Sequence, residues 1–193
     1  MPRPALYDSD RLLDAALALA GDHTPTGVSV AGVARRTGAP SGSVYHRFPS
    51  RAVLLGELRL RTITRFQDGF LTCLANADPR LAARTAARHV VDWSRVHPDQ
   101  ARLLLHPRRD FAPQEWPAEL TTRAAAQDRR LRAALRALAV RLGADLDQVL
   151  IAVVDLPYAV VRRHLTTQGT VPANAADKVE TCAAMLLWPA ITS

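Results

Sequence analysis

The chain has 193 residues, of which 48% are hydrophobic, and it carries a formal net charge of +7 at pH 7. This composition is typical of a globular protein of one or two domains and excludes a disordered chain. A positive charge of this size favours a polyanionic partner. The basic residues are spread along the whole chain, however, so the net charge by itself does not locate a DNA-binding surface.

Several chemical classes are disfavoured by the residues present. Cys73 and Cys182 stand alone, without the CxxC spacing of a disulfide framework or a cysteine zinc site. Lys178 is the single lysine and follows an aspartate, which rules out a Gly-Lys-Ser/Thr phosphate loop. Neither G-x-S-x-G nor H-E-x-x-H occurs, and His89 and His97 are poorly spaced for metal binding. We therefore expect no enzymatic activity, no metal and no cofactor.

The N-terminal segment does not resemble a signal peptide, because Asp8, Asp10 and Asp14 interrupt it. The longest apolar run, residues 149–161, contains Asp155 and is shorter than the ~20 residues that cross a bilayer. We expect a cytoplasmic protein without a membrane partner.

Helical periodicity predicts an all-α fold. The first helix has Ser9 as N-cap and Gly21 just beyond its end. A short helix follows Ser29 as N-cap, and Gly38 terminates it in the left-handed conformation. Pro40 begins a second short helix, and a break at residues 49–50 precedes a long one. The later helices are predicted over residues 51–75, 80–96, 98–105, 118–142, 145–168 and 172–188, with an irregular stretch at 106–117 and a kink at Pro157.

The two short helices and the glycine-bearing turn between them predict a helix-turn-helix whose second helix enters the major groove. Small and hydroxyl side chains at its start permit close approach, and a stretch without acids suits a phosphate surface. Phe48 we interpret as an apolar anchor beneath the turn. Arg35 and Arg36 are left open, with one expected to point to solvent and the other to reach phosphate. The predicted DNA-binding residues are Ser29, Arg36, Ser41, Gly42, Ser43, Tyr45, His46, Arg47 and Arg51.

The stretch SVAGVARRTGAPSGSVYHRFPSR resembles the helix-turn-helix of the TetR family of bacterial transcriptional regulators, and the resemblance spans residues 8–70. Gly38, Tyr45 and Phe48 fall where the family pattern places them, whereas Ser41 replaces a frequent lysine and Gly32 a frequent acid. The resemblance implies an N-terminal three-helix DNA-binding domain, residues 8–68, joined by a long helix to a ligand-binding and dimerisation domain, residues 69–193. It also implies a homodimeric regulator, more commonly a repressor, that binds a palindromic operator and releases it on binding a small molecule.

The run VLIAVVDLPYAVV at residues 149–161 is apolar around nearly its full circumference, which favours burial against a second copy of the chain. The last helix supplies small and apolar residues that could complete this interface. The predicted interface residues are Val149, Val153, Val160, Val179, Ala183, Leu186 and Leu187.

A small-molecule pocket is predicted from aromatic residues and a few polar ones in the C-terminal half. Each of them also has a purely structural interpretation, such as Trp93 in the core or Asp155 paired with an arginine. The predicted pocket residues are Trp93, His97, Phe111, Trp116, Asp155, Tyr158 and Arg162. The effector is unknown, and the alternative is a DNA-binding dimer with no effector, either a constitutive regulator or an architectural protein.

Overall fold

The computed structural model describes residues 8–23 and 25–188; residues 189–193 of the predicted C-terminal domain lie outside this part. Across the described residues the fold is all-α, as predicted, and no strand occurs. The helices are α1 (Ser9–His23), α2 (Val30–Thr37), α3 (Ser41–Arg47), α4 (Arg51–Leu74), α5 (Pro79–Val96), α6 (Pro98–Leu105), α7 (Ala118–Leu142), α8 (Leu146–Leu150), α9 (Leu156–Thr167) and α10 (Ala175–Leu187).

The boundaries of α1 differ from the prediction at both ends. The carboxylate of Asp8 accepts a hydrogen bond from the Arg11 amide at 2.8 Å, so Asp8 takes the capping role that the sequence suggested for Ser9. Gly21 lies inside the helix, which continues to His23. A glycine weakens a helix interior without forbidding it, because its cost is only about 1 kcal/mol relative to alanine.

The predicted kink at Pro157 takes the form of a π-helical turn, Ile151–Asp155, between α8 and α9. The Leu156 amide donates to the Ile151 carbonyl five residues back. Because proline has no N–H to donate, the regular helical hydrogen-bond pattern is interrupted at Pro157, and the wider π-helical turn lies just before it. The side chain of Asp145 caps α8 by accepting from the amides of Asp147 and Gln148.

The chain forms two compact units whose division differs from the domain boundary drawn from the sequence. The first unit comprises the described residues of Met1–Ile63 together with Asp99–Ala125, and the second those of Thr64–Pro98 and Ala126–Ser193. The sequence placed residues 99–125 in the C-terminal domain. In the folded chain they form one compact unit with the helix-turn-helix, because their apolar side chains lie in its core.

The core of the first unit joins α1–α4 to the segment Asp99–Ala125. Leu12, Val33 and Leu55 are buried in the same cluster as Phe111 and Trp116. Two 3₁₀ turns, Arg108–Phe111 and Pro113–Glu115, connect α6 to α7. The Trp116 indole N–H donates to the Phe111 carbonyl at 2.8 Å, which satisfies the polar atom of a buried ring.

Gly56 permits the close contact between α4 and this segment. A Cβ atom on Gly56 would lie 2.6 Å from Leu120 Cδ2 and 2.8 Å from two atoms of the Trp116 ring. The backbone conformation of Gly56 is ordinary, so it is the lack of a side chain that matters here. Glu57, the next residue, forms a two-point ion pair with Arg123 of α7 at 2.6 and 3.0 Å.

We predict that Gly56→Ala lowers the free energy of unfolding by about 1–3 kcal/mol, the usual cost of overpacking a core. The matched control is Gly21→Ala, where nothing lies within 4 Å of the added Cβ and alanine should stabilise α1 by about 0.5–1 kcal/mol. Urea unfolding measures both changes. Equal effects of the two substitutions would contradict the proposed contact.

The second unit is held partly by ion pairs between α5 and α10. Arg84 pairs with Glu180 at 2.7 Å, and Arg88 contacts Asp177 at 2.5 Å and Glu180 at 3.1 Å. These hydrogen bonds to Asp177 and Glu180 raise the pKa of the Arg88 guanidinium. Because these side chains are partly exposed, each pair contributes modestly to stability.

His89 packs against α4 within the second unit. Its ring lies 5.5 Å from the Phe66 ring, and a Cβ at Gly69 would collide with it. His89 Nε2 lies 3.1 Å from the Phe66 carbonyl oxygen, an acceptor, so this nitrogen carries the proton and donates it. Burial lowers the pKa of His89 from its ordinary value of 6.5, because the charged imidazolium is poorly solvated there.

We predict that His89 makes the free energy of unfolding depend on pH at pH values below the pKa of this histidine in the unfolded chain. Above pH 6.5 the ring is neutral in both states and its packing is fully favourable. As the pH falls below that value, the unfolded chain binds a proton that the folded chain resists, so the free energy of unfolding decreases. In chemical unfolding between pH 7 and 5, His89→Gln should show a shallower decline than the parent. Parallel declines would show that His89 is not the source.

Candidate nucleic-acid interface

The turn between α2 and α3 is built by local interactions that the sequence predicted. The Ser29 hydroxyl accepts from the Gly32 amide at 3.0 Å and caps α2. Gly38 adopts φ 69°, the left-handed conformation, and its amide donates to the Ala34 carbonyl. This conformation is strained for residues with a side chain. The two short helices and their turn therefore lie where the caps and the glycine predicted them.

Helix α3 is anchored by two apolar side chains and exposes the others. Val44 is fully buried, and Phe48, directly after the helix, is 3% exposed. This confirms the interpretation of Phe48 as an anchor. Tyr45 is 50% exposed, and its ring is therefore available to a partner. The other exposed residues of α3 are Ser41, Gly42, Ser43, His46 and Arg47.

The helix-turn-helix contains only basic charges. No acidic residue occurs between Asp22 and Glu57, whereas the same stretch holds four arginines. Arg35 and Arg36 at the end of α2 are exposed. Arg47 is also exposed and donates to the Ser9 hydroxyl at 2.9 Å, which links α3 to the start of α1. Such a surface suits an anionic partner, since a carboxylate there would be repelled by phosphates.

Besides Arg47, whose bond to Ser9 is described above, the predicted DNA-binding residues Ser29 and Arg51 have side-chain partners inside the protein. The Ser29 side chain is occupied by capping α2. The Arg51 guanidinium donates to the main-chain carbonyls of Val28, Pro25 and Thr26 at 2.7, 3.0 and 2.9 Å. No local pattern indicated these bonds, because residues more than twenty positions apart supply them.

The predicted pocket residues are divided between the two compact units. Phe111 and Trp116 are buried in the core of the first unit. Trp93 belongs to the second unit, where its ring lies 5.2 Å from both Phe66 and His97. The remaining three, which are Asp155, Tyr158 and Arg162, are exposed on the second unit.

Two surface pockets of the second unit are lined by other residues. One of about 180 Å³ lies between α9 and α10, beside Val160, His164, Lys178 and Cys182. The other, of about 380 Å³, is an open groove beside Arg80, Met185 and Trp188. Among the described residues, no three His, Cys, Asp or Glu side chains are grouped to hold a metal ion. No helix of the described chain is long and apolar enough to cross a membrane.

The predicted interface residues are mostly covered by their own chain. Five of them, Val149, Val153, Val179, Ala183 and Leu187, are buried in the second unit. Val160 is half-buried and Leu186 is exposed. The run at 149–161 is apolar on nearly all sides because α5 and α10 of the same chain cover much of it, a circumstance that the sequence could not show.

Residues 12–58 match the family model of the bacterial regulatory proteins, tetR family. No curated protein is detectably similar in sequence to the chain. Among solved structures, the TetR-family regulator PfmR from Thermus thermophilus has 20% identity, a TM-score of 0.69, and coverage of 94% of this chain and 96% of its own. FadR from Bacillus subtilis, solved in complex with stearoyl-CoA, has 10% identity, a TM-score of 0.71, and coverage of 93% and 98%.

A transcriptional regulator from Rhodococcus sp. Rha1 has 16% identity, a TM-score of 0.71, and coverage of 94% of each chain. At these identities the structural likeness establishes the fold, which extends over both compact units. The match of residues 12–58 adds the DNA-binding helix-turn-helix. Residues 12–58 thus carry the helix-turn-helix of the tetR family of bacterial regulatory proteins, and the chain shares the fold of solved TetR-family regulators.

Proposed function

We propose that the protein is a homodimeric repressor whose α3 enters the major groove of a near-palindromic operator. The observation that carries this proposal is the two-sided character of α3. Val44 and Phe48 hold it in the core, while Ser41, Ser43 and Tyr45 face outward. Serine hydroxyls can reach base edges or phosphates, and the tyrosine hydroxyl can donate to a phosphate.

Basic side chains around α3 would supply the sequence-independent part of the affinity. Arg35, Arg36, His46 and Arg47 are exposed on α2 and α3, and the sequence between Asp22 and Glu57 contains no acidic residue. Each phosphate contact made by an arginine releases counterions, so binding should weaken as the salt concentration rises. Gly42 leaves the surface open between Ser41 and Ser43, since nothing lies within 4 Å of its Cβ position.

We predict that Tyr45→Ala abolishes sequence-specific binding without unfolding the protein, because half of this side chain is exposed. The measurement is selection of bound duplexes from a random DNA pool, followed by determination of Kd. The parent should recover an inverted repeat with half-sites about 34 Å apart, or a multiple of that distance. Val140→Ala, at an exposed position on α7, is the control and should recover the same repeat.

An inverted repeat recovered equally well by Tyr45→Ala would remove Tyr45 from the interface. No enrichment by the parent would contradict the proposed operator binding itself. Circular dichroism of each variant shows whether the helices are intact.

We propose that the dimer forms through the exposed apolar side chains near the C-terminus of the chain. Met185 is 65% exposed and Leu186 39% exposed on α10, and Ile151 and Tyr158 are exposed just before and within α9. The elements that carry these side chains, the Ile151–Asp155 turn, α9 and α10, contact one another, and exposed apolar side chains on adjoining elements favour association. Two copies related by a two-fold axis would present two α3 helices to one operator.

We predict that Leu186→Asp yields monomers in sedimentation velocity, because a charge would be buried at the interface. Val140→Asp places the same charge at an exposed position on α7 and should remain dimeric. Val153 is unsuitable for this test because it is fully buried in the chain itself. A dimer that persists in Leu186→Asp would place the interface elsewhere.

We propose further that a small molecule releases the operator. FadR from Bacillus subtilis, which shares this fold, was solved in complex with stearoyl-CoA, and this supports a small-molecule effector. Its sequence is only 10% identical, so its ligand is not assigned to this protein. Screening small molecules, acyl-CoAs included, for release of the selected duplex tests the proposal. A protein that no ligand releases would instead be a constitutive regulator or an architectural dimer.

A further inference from the structure

We propose that Arg51 is a positioning residue that fixes the start of α2 relative to α4, and that it does so through main-chain carbonyls and without contacting a phosphate. This inference rests on the proposed operator binding. Its basis is the set of three hydrogen bonds from the Arg51 guanidinium: Nε donates to Val28 at 2.7 Å, and Nη2 donates to Pro25 and Thr26 at 3.0 and 2.9 Å. We call this set of bonds the Arg51 clamp.

The Arg51 clamp connects two parts of the helix-turn-helix region that are distant in sequence. Arg51 is the first residue of α4, and its acceptors lie in the connection between α1 and α2. Val28 directly precedes Ser29, whose hydroxyl caps α2. The clamp therefore closes a loop that contains all of α2, the Gly38 turn and α3. Holding both ends of this loop restricts how α3 can tilt.

The guanidinium group is suited to this task. Its planar fork presents several N–H donors in a fixed geometry, and here Nε and Nη2 point to separate carbonyls. A lysine would keep the positive charge, but its single ammonium cannot reproduce a rigid two-nitrogen fork. The Nε and Nη2 donors are committed to internal carbonyls, whereas Arg51 is exposed and its Nη1 makes no bond to these carbonyls. Lysine keeps the charge that a phosphate contact needs and loses the fork that the clamp needs, so the two roles give different predictions for lysine.

The clamped connection also contacts the segment Asp99–Ala125. The 3₁₀ turn Pro25–Gly27 touches the 3₁₀ turn Arg108–Phe111, and both belong to the first compact unit. Phe111 is fully buried, and its carbonyl accepts from the Trp116 indole. A shift of the Arg108–Phe111 turn would therefore press on the connection that Arg51 holds.

The test is Arg51→Lys in the full chain, with the duplex selected by the parent. We expect the affinity for this operator to fall about tenfold or more, the order of one lost hydrogen bond to a charged group. Affinity for random duplexes and the slope of log K against log salt should stay unchanged, because no phosphate contact is lost. Arg130→Lys, at an exposed position on α7 of the second unit, is the matched control and should bind like the parent.

Hydrogen exchange supplies a measurement that does not depend on DNA. The amides of Val28, Gly32 and Val33 donate to Pro25, to the Ser29 hydroxyl and to the Ser29 carbonyl. In Arg51→Lys these amides should exchange faster, whereas the amides within α7 should not change. The thermal midpoint of each variant shows that the comparison is made on folded protein.

Each other outcome overturns the proposal in a distinct way. If Arg51→Lys keeps full operator affinity and unchanged hydrogen exchange, the charge is what matters and Arg51 contacts phosphate. If the affinity falls equally on all duplexes and the salt slope decreases by about one, a phosphate contact has also been lost. If exchange accelerates while operator affinity is unchanged, the clamp is structural only. If the parent selects no operator, the proposed function fails, and unchanged exchange would separately refute the clamp.

Discussion

The packing of α3 is the constraint on which the remaining arrangement depends. A helix of seven residues is too short to be stable by itself in water, so α3 exists because Val44 and Phe48 are buried. Their burial fixes the rotation of the helix and thereby exposes Tyr45 and its polar neighbours. The left-handed residue Gly38 sets the angle at which α3 follows α2. The stability of α3 and the exposure of the side chains proposed to contact DNA thus have the same physical origin.

The helix-turn-helix is completed by residues distant in the sequence. Phe111, Trp116 and Leu120 lie in the same core as α1–α4, and Gly56 provides the space for the Trp116 ring. The segment Asp99–Ala125 is therefore part of the unit that contains α3. The segment and α3 therefore share one hydrophobic core, to which both contribute buried side chains.

The arginines of the first unit divide into two structural roles. Arg35 and Arg36 are exposed on α2, on a surface whose basic character suits phosphates. Arg123 and Arg51 instead connect elements of the fold, the former to Glu57 and the latter to the carbonyls before α2. Their chemistry is identical, and only their surroundings assign them to one role or the other. Arg47 combines exposure with a bond to Ser9.

The sequence by itself determined the all-α fold, the Ser29 cap, the Gly38 turn and the anchoring role of Phe48, because caps, glycine conformations and helical periodicity are local properties. It also indicated a kink at Pro157. Only the tertiary structure decided that Val149 and Val153 are buried in their own chain and that Phe111 belongs to the first unit. It likewise revealed the partners of Arg51. Each of these depends on which distant elements meet, and the packing of the folded chain decides that, whereas local patterns do not encode it.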